Sequence, residues 1–356
     1  MVEVKRRHHV LPRFYLQRFA DRNQVRTTWL PGDKSHLASV NDVSVEKDYY
    51  TFSVTIDGQK YVSDYWEDVF SEVEGASAAA FKAIIDDRQW PPSPAIKHDL
   101  AWWIALQHMR GNAVRNSHND LAANIARLQV GASGIATLRH RMESALGRKV
   151  GDLELEAEWD DLVKEGGPTI TLDPGVHLAT MDRMVPGAAA MFNASGMGLL
   201  RFQQRSLITS DTPVSLIEDE NAPWGGVGLA TWSMVTVPLA RHVGLVLTQA
   251  GDECLEMRPS TAAARGINAA TAGYARRFVL SHPEDSLEAL GVELHAPVAK
   301  ESQMSNIDGM INRDRKPGTS GGLPSFPTHD HDGSMRIDDF EWPIPGRVFD
   351  NPFAPA

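Results

Sequence analysis

Residues 8–19 constrain the fold most, because two adjacent histidines directly precede a proline and a run of large apolar side chains. Pro12 suits the first turn of a helix, where the backbone N–H groups have no intrahelical partner. The apolar side chains that would bury this segment follow at once: Phe14, Tyr15, Leu16 and Phe19. Chain ends are normally loose, so this pattern is unusual. We predict that His8 and His9 lie beside a helix N-terminus on a segment anchored by aromatic side chains.

The composition indicates a protein with a sizeable core and no disulfide. Hydrophobic residues make up 42% of the 356 residues, which is enough to bury a core. The single cysteine, Cys254, has no partner for an intrachain disulfide, which is typical of a reducing compartment. No apolar run approaches the roughly 20 residues that a membrane helix needs, and no signal-peptide pattern is present. We therefore predict a soluble, cytoplasmic protein without membrane contact.

The charge balance bears on the possible partners. The chain has 35 basic and 46 acidic residues, for a net charge of −11. This balance argues against a broad basic surface for duplex nucleic acid. It is compatible with a small basic pocket that binds a small anionic ligand or a single-stranded nucleic acid. The basic residues 5–7 beside the two histidines belong either to such a pocket or to a solvated leader.

The order of the periodic segments predicts an α+β fold, with a central helical block and small antiparallel sheets near the N-terminus and in the second half. Strand patterns cover residues 25–30, 48–56, 198–202, 206–209, 233–239 and 243–248. Helical patterns cover residues 63–87, 93–129, 135–147, 152–165, 176–194 and 261–281. We predict one domain over residues 1–299, a flexible tail over 300–335, and a C-terminal segment, 336–356, that docks back.

Two helical segments carry polar residues on a common face. Glu67 and Glu74 are seven residues apart, so their carboxylates differ by only about 20° around the helix. Three alternatives stay open for these glutamates: they orient an arginine, they bind a metal, or they form a solvated helix edge.

Gln107 and Arg110 are neighbours on a second helix, which is rich in tryptophan. A buried guanidinium needs a carboxylate or a bound anion, so pairing with Glu67 or Glu74 and anion binding both stay open.

A third polar group follows a buried strand. Thr209, Ser210 and Asp211 stand at the end of an apolar run, just before Pro213. A strand end holds polar side chains rigidly at an edge of the core, which suits a functional site. The alternative is a local turn in which these side chains bond to their own backbone.

Together these motifs resemble the domain-of-unknown-function 4238 family over roughly residues 5–285. Its His-His-x-x-Pro-x-x-Tyr-Leu-x-x-Phe opening is matched by residues 8–19, its acidic helix by Glu67 and Glu74, and its Gln-x-x-Arg helix by Gln107 and Arg110. The family often has Thr-Pro after that arginine, where this chain has Gly111-Asn112. The remaining similarities are the Thr-Ser-Asp-x-Pro strand end, a Pro-Leu strand start at 238–239 and an asparagine at Asn268. The resemblance implies site residues but no reaction.

The polar set predicts a hydrolase that acts on a phosphodiester or another anionic substrate. The residues expected in catalysis are His8, His9, Arg110 and Asp211. Those expected to bind substrate are Gln107, Thr209, Ser210 and, from the resemblance, Asn268, with Glu67 and Glu74 as supporting carboxylates. A histidine or Asp211 would activate water, and Arg110 would stabilise negative charge. A divalent metal held by Asp211 and a histidine or glutamate is a further possibility. The alternatives are a non-catalytic protein that binds or senses a small ligand and a metal-dependent oxidase.

Overall fold

The computed structural model of the chain describes residues 7–56, 59–63, 65–165, 167–218, 227–296 and 311–315, with side chains outside 52–63. The helices are α1 (Arg13–Leu16), α2 (Tyr65–Ile85), α3 (Pro94–Arg110), α4 (Asn112–Ser133), α5 (Ile135–Leu146), α6 (Asp152–Val163), α7 (Pro174–Ala194), α8 (Thr261–Tyr274) and α9 (Leu287–Leu290). The strands are β1 (Arg7–His9), β2 (Gln24–Trp29), β3 (Lys34–Ser39), β4 (Val45–Lys47), β5 (Phe52–Ile56), β6 (Gln59–Ser63), β7 (Gly196–Arg201), β8 (Thr209–Ser210), β9 (Ser215–Glu218), β10 (Trp232–Ala240), β11 (Val243–Thr248), β12 (Cys254–Met257) and β13 (Phe278–Ser281). None of the helices in these described ranges is long and apolar enough to cross a membrane.

The predicted α+β class is confirmed, with a helical block between small sheets. In the second half, a five-stranded sheet has the order β12-β7-β11-β10-β9. A four-stranded sheet, β3-β2-β13-β8, joins the N-terminal hairpin to late strands. The pairs β1–β4 and β5–β6 form two further ladders. These pairings are antiparallel, except that β12 runs parallel to β7.

The chain forms two compact units. The first comprises residues 1–113, 174–297 and 336–356, and the second comprises 114–173 and 298–335. In the first unit, α3 packs against α2 and α7 and buries Trp102 and Trp103 completely or nearly so. In the second unit, α5 and α6 enclose a small apolar cluster that includes Leu138 and Trp159. The single domain over 1–299 stays a prediction. Of the predicted tail only residues 311–315 are described, and the docking segment 336–356 lies outside the described residues.

The N-terminal segment is anchored as predicted, but its histidines lie on a strand. Tyr15, Leu16 and Phe19 are fully buried. The Tyr15 ring packs against Trp103 with 4.9 Å between ring centroids. The predicted helix is a single turn, α1, followed by a 3-10 turn, and Pro12 is its N-cap residue. His8 and His9 precede this helix as expected, but they form a strand, β1, whose partner is β4.

The long helix predicted over residues 93–129 is two helices. It begins as expected, with Ser93 as the N-cap and Pro94 in the first turn. At Gly111 the backbone becomes extended, with φ −67° and ψ 152°. The Tyr49 hydroxyl compensates for the break by donating to the Arg110 carbonyl at 2.9 Å, and it also lies 3.0 Å from Asn112 Oδ1. A tertiary contact therefore stabilises a break that helical periodicity does not reveal.

Two late predictions also need correction. The helix predicted over 261–281 ends at Tyr274, because residues 278–281 form β13 between β2 and β8. The strand predicted over 206–209 is reduced to β8. Residues 206–208 are instead held by the Asn268 side chain, which accepts from the Ile208 N–H at 3.0 Å and donates to the Ser206 carbonyl at 3.1 Å.

Candidate functional site

A pocket of about 190 Å³ lies in the first unit, between the N-terminal segment and α2. The N-terminal segment contributes His9, Arg13 and Phe14, and α2 contributes Glu67, Phe70, Ser71 and Glu74. The α2 residues are spaced by three, four and seven positions, so they share one helix face. The prediction that Glu67 and Glu74 point the same way is confirmed. Two carboxylates, an imidazole and a guanidinium therefore line one cavity.

Strand alternation separates the two histidines. In β1, His8 pairs with Glu46 and His9 with Val45, and successive side chains on a strand point to opposite faces. His8 is fully buried, and its Nδ1 accepts a hydrogen bond from the Tyr50 backbone N–H at 2.9 Å. That bond places the ring proton on Nε2 of a neutral imidazole. His8 thus supports the fold beside the pocket, and His9 lines the pocket.

The environment of His9 keeps its imidazole neutral. Partial burial, together with the positive charges of Arg13, Arg7 and Arg110, lowers the pKa of His9 below its usual value. Its Nδ1 is closed off from solvent and has no hydrogen-bond partner among the described residues. An unprotonated imidazole at neutral pH is a competent general base.

Arg110 does not line the pocket but is tied to it by an ion pair. Its side chain is 1% exposed, and Nη1 lies 2.7 Å from Oε1 of Glu74, whose side chain is 25% exposed. The Gln107 amide oxygen faces the guanidinium, accepts from Nε at 3.0 Å and also contacts Nη2. The pairing that desolvation predicts for Arg110 is thus the one with Glu74. Gln107 and Arg110 act on the pocket through that carboxylate.

The sequence analysis missed Arg13 and Tyr50. Arg13 is exposed, lines the pocket and has no ion-pair or hydrogen-bond partner among the described residues. The Tyr50 hydroxyl is buried without a hydrogen bond in the described part of the chain, and its ring packs on Phe70, 4.8 Å between centroids. Arg13 stands four residues after His9 and directly after Pro12, but the neighbouring aromatic residues dominated the pattern. Tyr50 gave no signal, because its position depends on the contact with α2.

Thr209 and Ser210, expected to bind substrate, lie in the core. Both are fully buried in β8. The Tyr15 hydroxyl donates to the Pro238 carbonyl at 2.8 Å and lies 2.6 Å from Thr209 Oγ1. Ser210 Oγ donates to the Thr212 carbonyl at 3.0 Å, which is the local turn considered as the alternative. None of these side chains lines the pocket.

Asp211 and Asn268 also lie away from the pocket lining. Asp211 Oδ1 accepts the Arg276 backbone N–H at 3.0 Å. Its Oδ2 is buried without a hydrogen-bond partner among the described residues. Burial raises the pKa of Asp211, against the opposing effect of the backbone N–H groups of residues 276–278 and the Arg277 charge. Asp211 therefore ties β8 to the turn after α8.

We expect Asp211→Asn to stabilise the protein at pH 7. Asparagine keeps an oxygen for the Arg276 N–H and has no charge to bury. Because the pKa of Asp211 is raised on folding, its contribution is fully favourable below the unfolded value of about 4 and is lost as pH rises through the folded value. In urea unfolding from pH 4 to 8, the free energy of unfolding of the variant should exceed that of the wild type by an amount that grows with pH. The exposed Asp33→Asn is the control, and a less stable Asp211→Asn at pH 7 would contradict the prediction.

A metal site was among the possibilities raised by the sequence. In the described part of the chain, no three side chains of histidine, cysteine, aspartate or glutamate are grouped so that they could hold a metal ion. Asp211 does not line the pocket with His9, Glu67 and Glu74.

Comparison with known proteins identifies the family. The model of the family described as "Protein of unknown function (DUF4238)" matches residues 7–285. The chain belongs to this family. The DUF4238 match includes every pocket residue and confirms the resemblance drawn from the motifs, and it ends before residues 311–315. No curated protein and no solved structure shows a significant match.

Proposed function

We propose that the pocket is the active site of a hydrolase that acts on an anionic substrate, a phosphodiester in the first instance. One observation carries the proposal: a neutral imidazole and a guanidinium without an ion-pair or hydrogen-bond partner among the described residues line the same small cavity. The cavity is smaller than the roughly 300–1,000 Å³ typical of sites for drug-sized ligands. We therefore expect it to take a small anion or one group of a longer substrate.

Arg13 is the group best suited to bind the anion. Arg110 already faces Glu74 and Gln107, so its charge is offset within the protein. Arg13 has no such partner in the described residues and can present its planar fork of donors to a phosphate. A bound phosphate would thus pair with Arg13, in a pocket that Glu67 and Glu74 also line.

His9 supplies the base in the proposed reaction. Its neutral imidazole accepts a proton from water as the water oxygen attacks phosphorus. The bond from phosphorus to the leaving oxygen breaks, that oxygen takes a proton from solvent as the second product leaves, and the His9 imidazolium returns its proton to solvent. Arg13 stabilises the negative charge on the phosphoryl oxygens during attack. Glu74 holds Arg110, and the negative charges of Glu74 and Glu67 restrict where an anion can bind.

His8, Thr209, Ser210, Asp211 and Asn268 support the fold around this site in the proposal. The chain's lone cysteine is in keeping with a cytoplasmic location, which we include in the proposal. A single-stranded nucleic acid would offer one phosphodiester to the pocket while the rest of the strand stays outside.

The test measures hydrolysis of bis(p-nitrophenyl) phosphate and of a short single-stranded oligonucleotide by the full-length protein. We expect His9→Gln to lower kcat by about 10²–10⁴, the range for loss of a general base. Arg13→Gln should raise KM about tenfold or more, as expected for a lost charge-assisted contact. Because the pKa of His9 is lowered, the wild-type rate should persist below the pH at which an ordinary histidine protonates.

Matched controls are His36→Gln and Arg258→Gln, both at exposed positions outside the pocket. Rates of these variants should equal the wild-type rate. Hydrolysis of neither substrate, with or without added divalent metal, would count against the hydrolase. Binding of inorganic phosphate that Arg13→Gln abolishes, without turnover, would instead support the non-catalytic alternative.

A further inference from the structure

Residues 311–315, here called the strap, belong to the second unit, pack on its helices and lie beyond the segment matched by the family. The strap reads Ile-Asn-Arg-Asp-Arg and makes a turn in which the Arg315 N–H donates to the Asn312 carbonyl at 3.3 Å. Its central residues are exposed, and Ile311 and Arg315 are partly buried. The least exposed side chains of the strap are thus those at its two ends.

The strap covers the junction between α4 and α5. A single residue, Gly134, with φ +81°, separates the two helices. The end of one helix leaves carbonyls without partners, and the start of the next leaves N–H groups without partners. The junction is therefore a short stretch of backbone able to bond an added peptide.

The strap bonds both to a carbonyl at the end of α4 and to an N–H at the start of α5. The Asn312 N–H donates to the Gly131 carbonyl at 2.9 Å, and the Ile135 N–H donates to the Arg313 carbonyl at 2.9 Å. The Arg315 side chain donates from Nη1 to the Ala132 carbonyl at 2.7 Å. Main-chain bonds of this kind are how proteins bind extended peptides.

Side chains add selectivity to these backbone bonds. Ile311 packs on the apolar cluster of Leu138, Val150, Leu155 and Trp159. Arg313 forms an ion pair with Glu156 of α6. An apolar residue is thus recognised at the first position of the strap, and arginines at the third and fifth.

Two glycines make the close approach possible. A Cβ on Gly131 would stand 2.8 Å from Cγ1 and 3.4 Å from Cα of Ile311. A Cβ on Gly134 would stand 2.7 Å from the Arg315 carbonyl oxygen. A side chain at either position would displace the strap. Gly131 lies inside a helix, where glycine is less favourable than most residues, so its presence there fits a need for space. The glycines accommodate the bound segment.

We propose that the α4–α5 junction is a peptide-recognition socket for an apolar-x-Arg-x-Arg segment, and that the strap is its exchangeable ligand. The strap occupies the socket within its own chain. When it is released, the same sequence supplied from another molecule binds in its place. The socket therefore gives this protein an interaction surface whose access depends on the strap.

The test uses the full-length chain and a fluorescent peptide of residues 308–318. Ile311→Asp places a charge against the apolar cluster and should release the strap. The apparent affinity for the peptide should then rise at least tenfold over wild type, because an occupied socket lowers apparent affinity in proportion to its free fraction. Adding Gly131→Val should abolish this binding. Adding Gly266→Val, at an exposed helical glycine with open space around it, should not.

A second measurement needs no variant of the chain. Saturating unlabelled peptide should raise hydrogen exchange at the Asn312 amide of the wild-type chain and leave the Ile135 amide protected, since the incoming peptide replaces its acceptor. A peptide that carries the Ile311→Asp change should leave exchange at both amides as it is without peptide. Equal peptide affinity for wild type and Ile311→Asp, binding insensitive to Gly131→Val, or unchanged exchange at Asn312 would each overturn the proposal.

Discussion

Replacing Glu74 with alanine is expected to lower the free energy of unfolding by about 3 kcal/mol, the lower end of what breaking a buried ion pair costs. The Arg110 side chain is 1% exposed, and Glu74 is its anionic partner at 2.7 Å. Without that carboxylate, the guanidinium keeps the neutral Gln107 oxygen and the charge of Glu67, which do not replace the direct ion pair. Urea unfolding at pH 7 measures the loss.

Two further variants separate the charge effect from a general effect on α2. Glu72→Ala changes an exposed glutamate on the same helix and should shift stability by less than about 0.5 kcal/mol. Arg110→Met in the Glu74→Ala background should recover part of the loss, because it removes the unpaired buried charge. Equal stabilities for Glu74→Ala and Glu72→Ala would show that the pair contributes nothing.

The helical part of the site could be predicted because it depends on short-range periodicity. The spacing of Glu67 and Glu74 indicated a shared face, and the burial of Arg110 required an anionic partner. Both features follow from rules that act within a helix or on a single side chain. The structure adds which of the two glutamates makes the pair.

The strand part of the site could not be predicted, because three strand residues have no recognisable period. β1 exists through its ladder with β4, and that pairing sends His8 inward and His9 to the pocket. The proline and aromatic residues nearby favoured a helix instead. For the same reason the sequence did not predict β13, which forms between two strands that are far away in sequence.

Polar residues after an apolar run proved to be the least informative signal. Thr209 and Ser210 bond to the backbone and to Tyr15, and no residue in the sequence indicates that Tyr15 reaches this strand.

The strap was predicted to be part of a flexible tail and gave no signal of a contact. Its composition is typical of a flexible segment, and its position depends on two glycines in the second unit. Long-range contacts decide both cases.

Asn268→Ala is expected to lower the free energy of unfolding by about 3 kcal/mol while leaving the pocket chemistry intact. The side chain is 2% exposed and bonds both the Ile208 N–H and the Ser206 carbonyl. Alanine leaves two buried backbone groups without partners, each at a cost of about 1–3 kcal/mol. Asn268→Asp retains the acceptor for Ile208 but buries a carboxylate whose second oxygen faces the Ser206 carbonyl, so we expect a loss at pH 7 at least as large as that of Asn268→Ala.

Thermal and urea unfolding distinguish this structural role from the substrate-binding role that the sequence suggested. Asn41→Ala, at an exposed position, should be neutral. Because Asn268 does not line the pocket, the folded fraction of Asn268→Ala should bind phosphate and turn over substrate as the wild type does. If the variant has wild-type stability but has lost phosphate binding, Asn268 takes part in substrate binding after all. A destabilised variant with normal binding would establish that the side chain stabilises residues 206–208, which have no strand partner of their own.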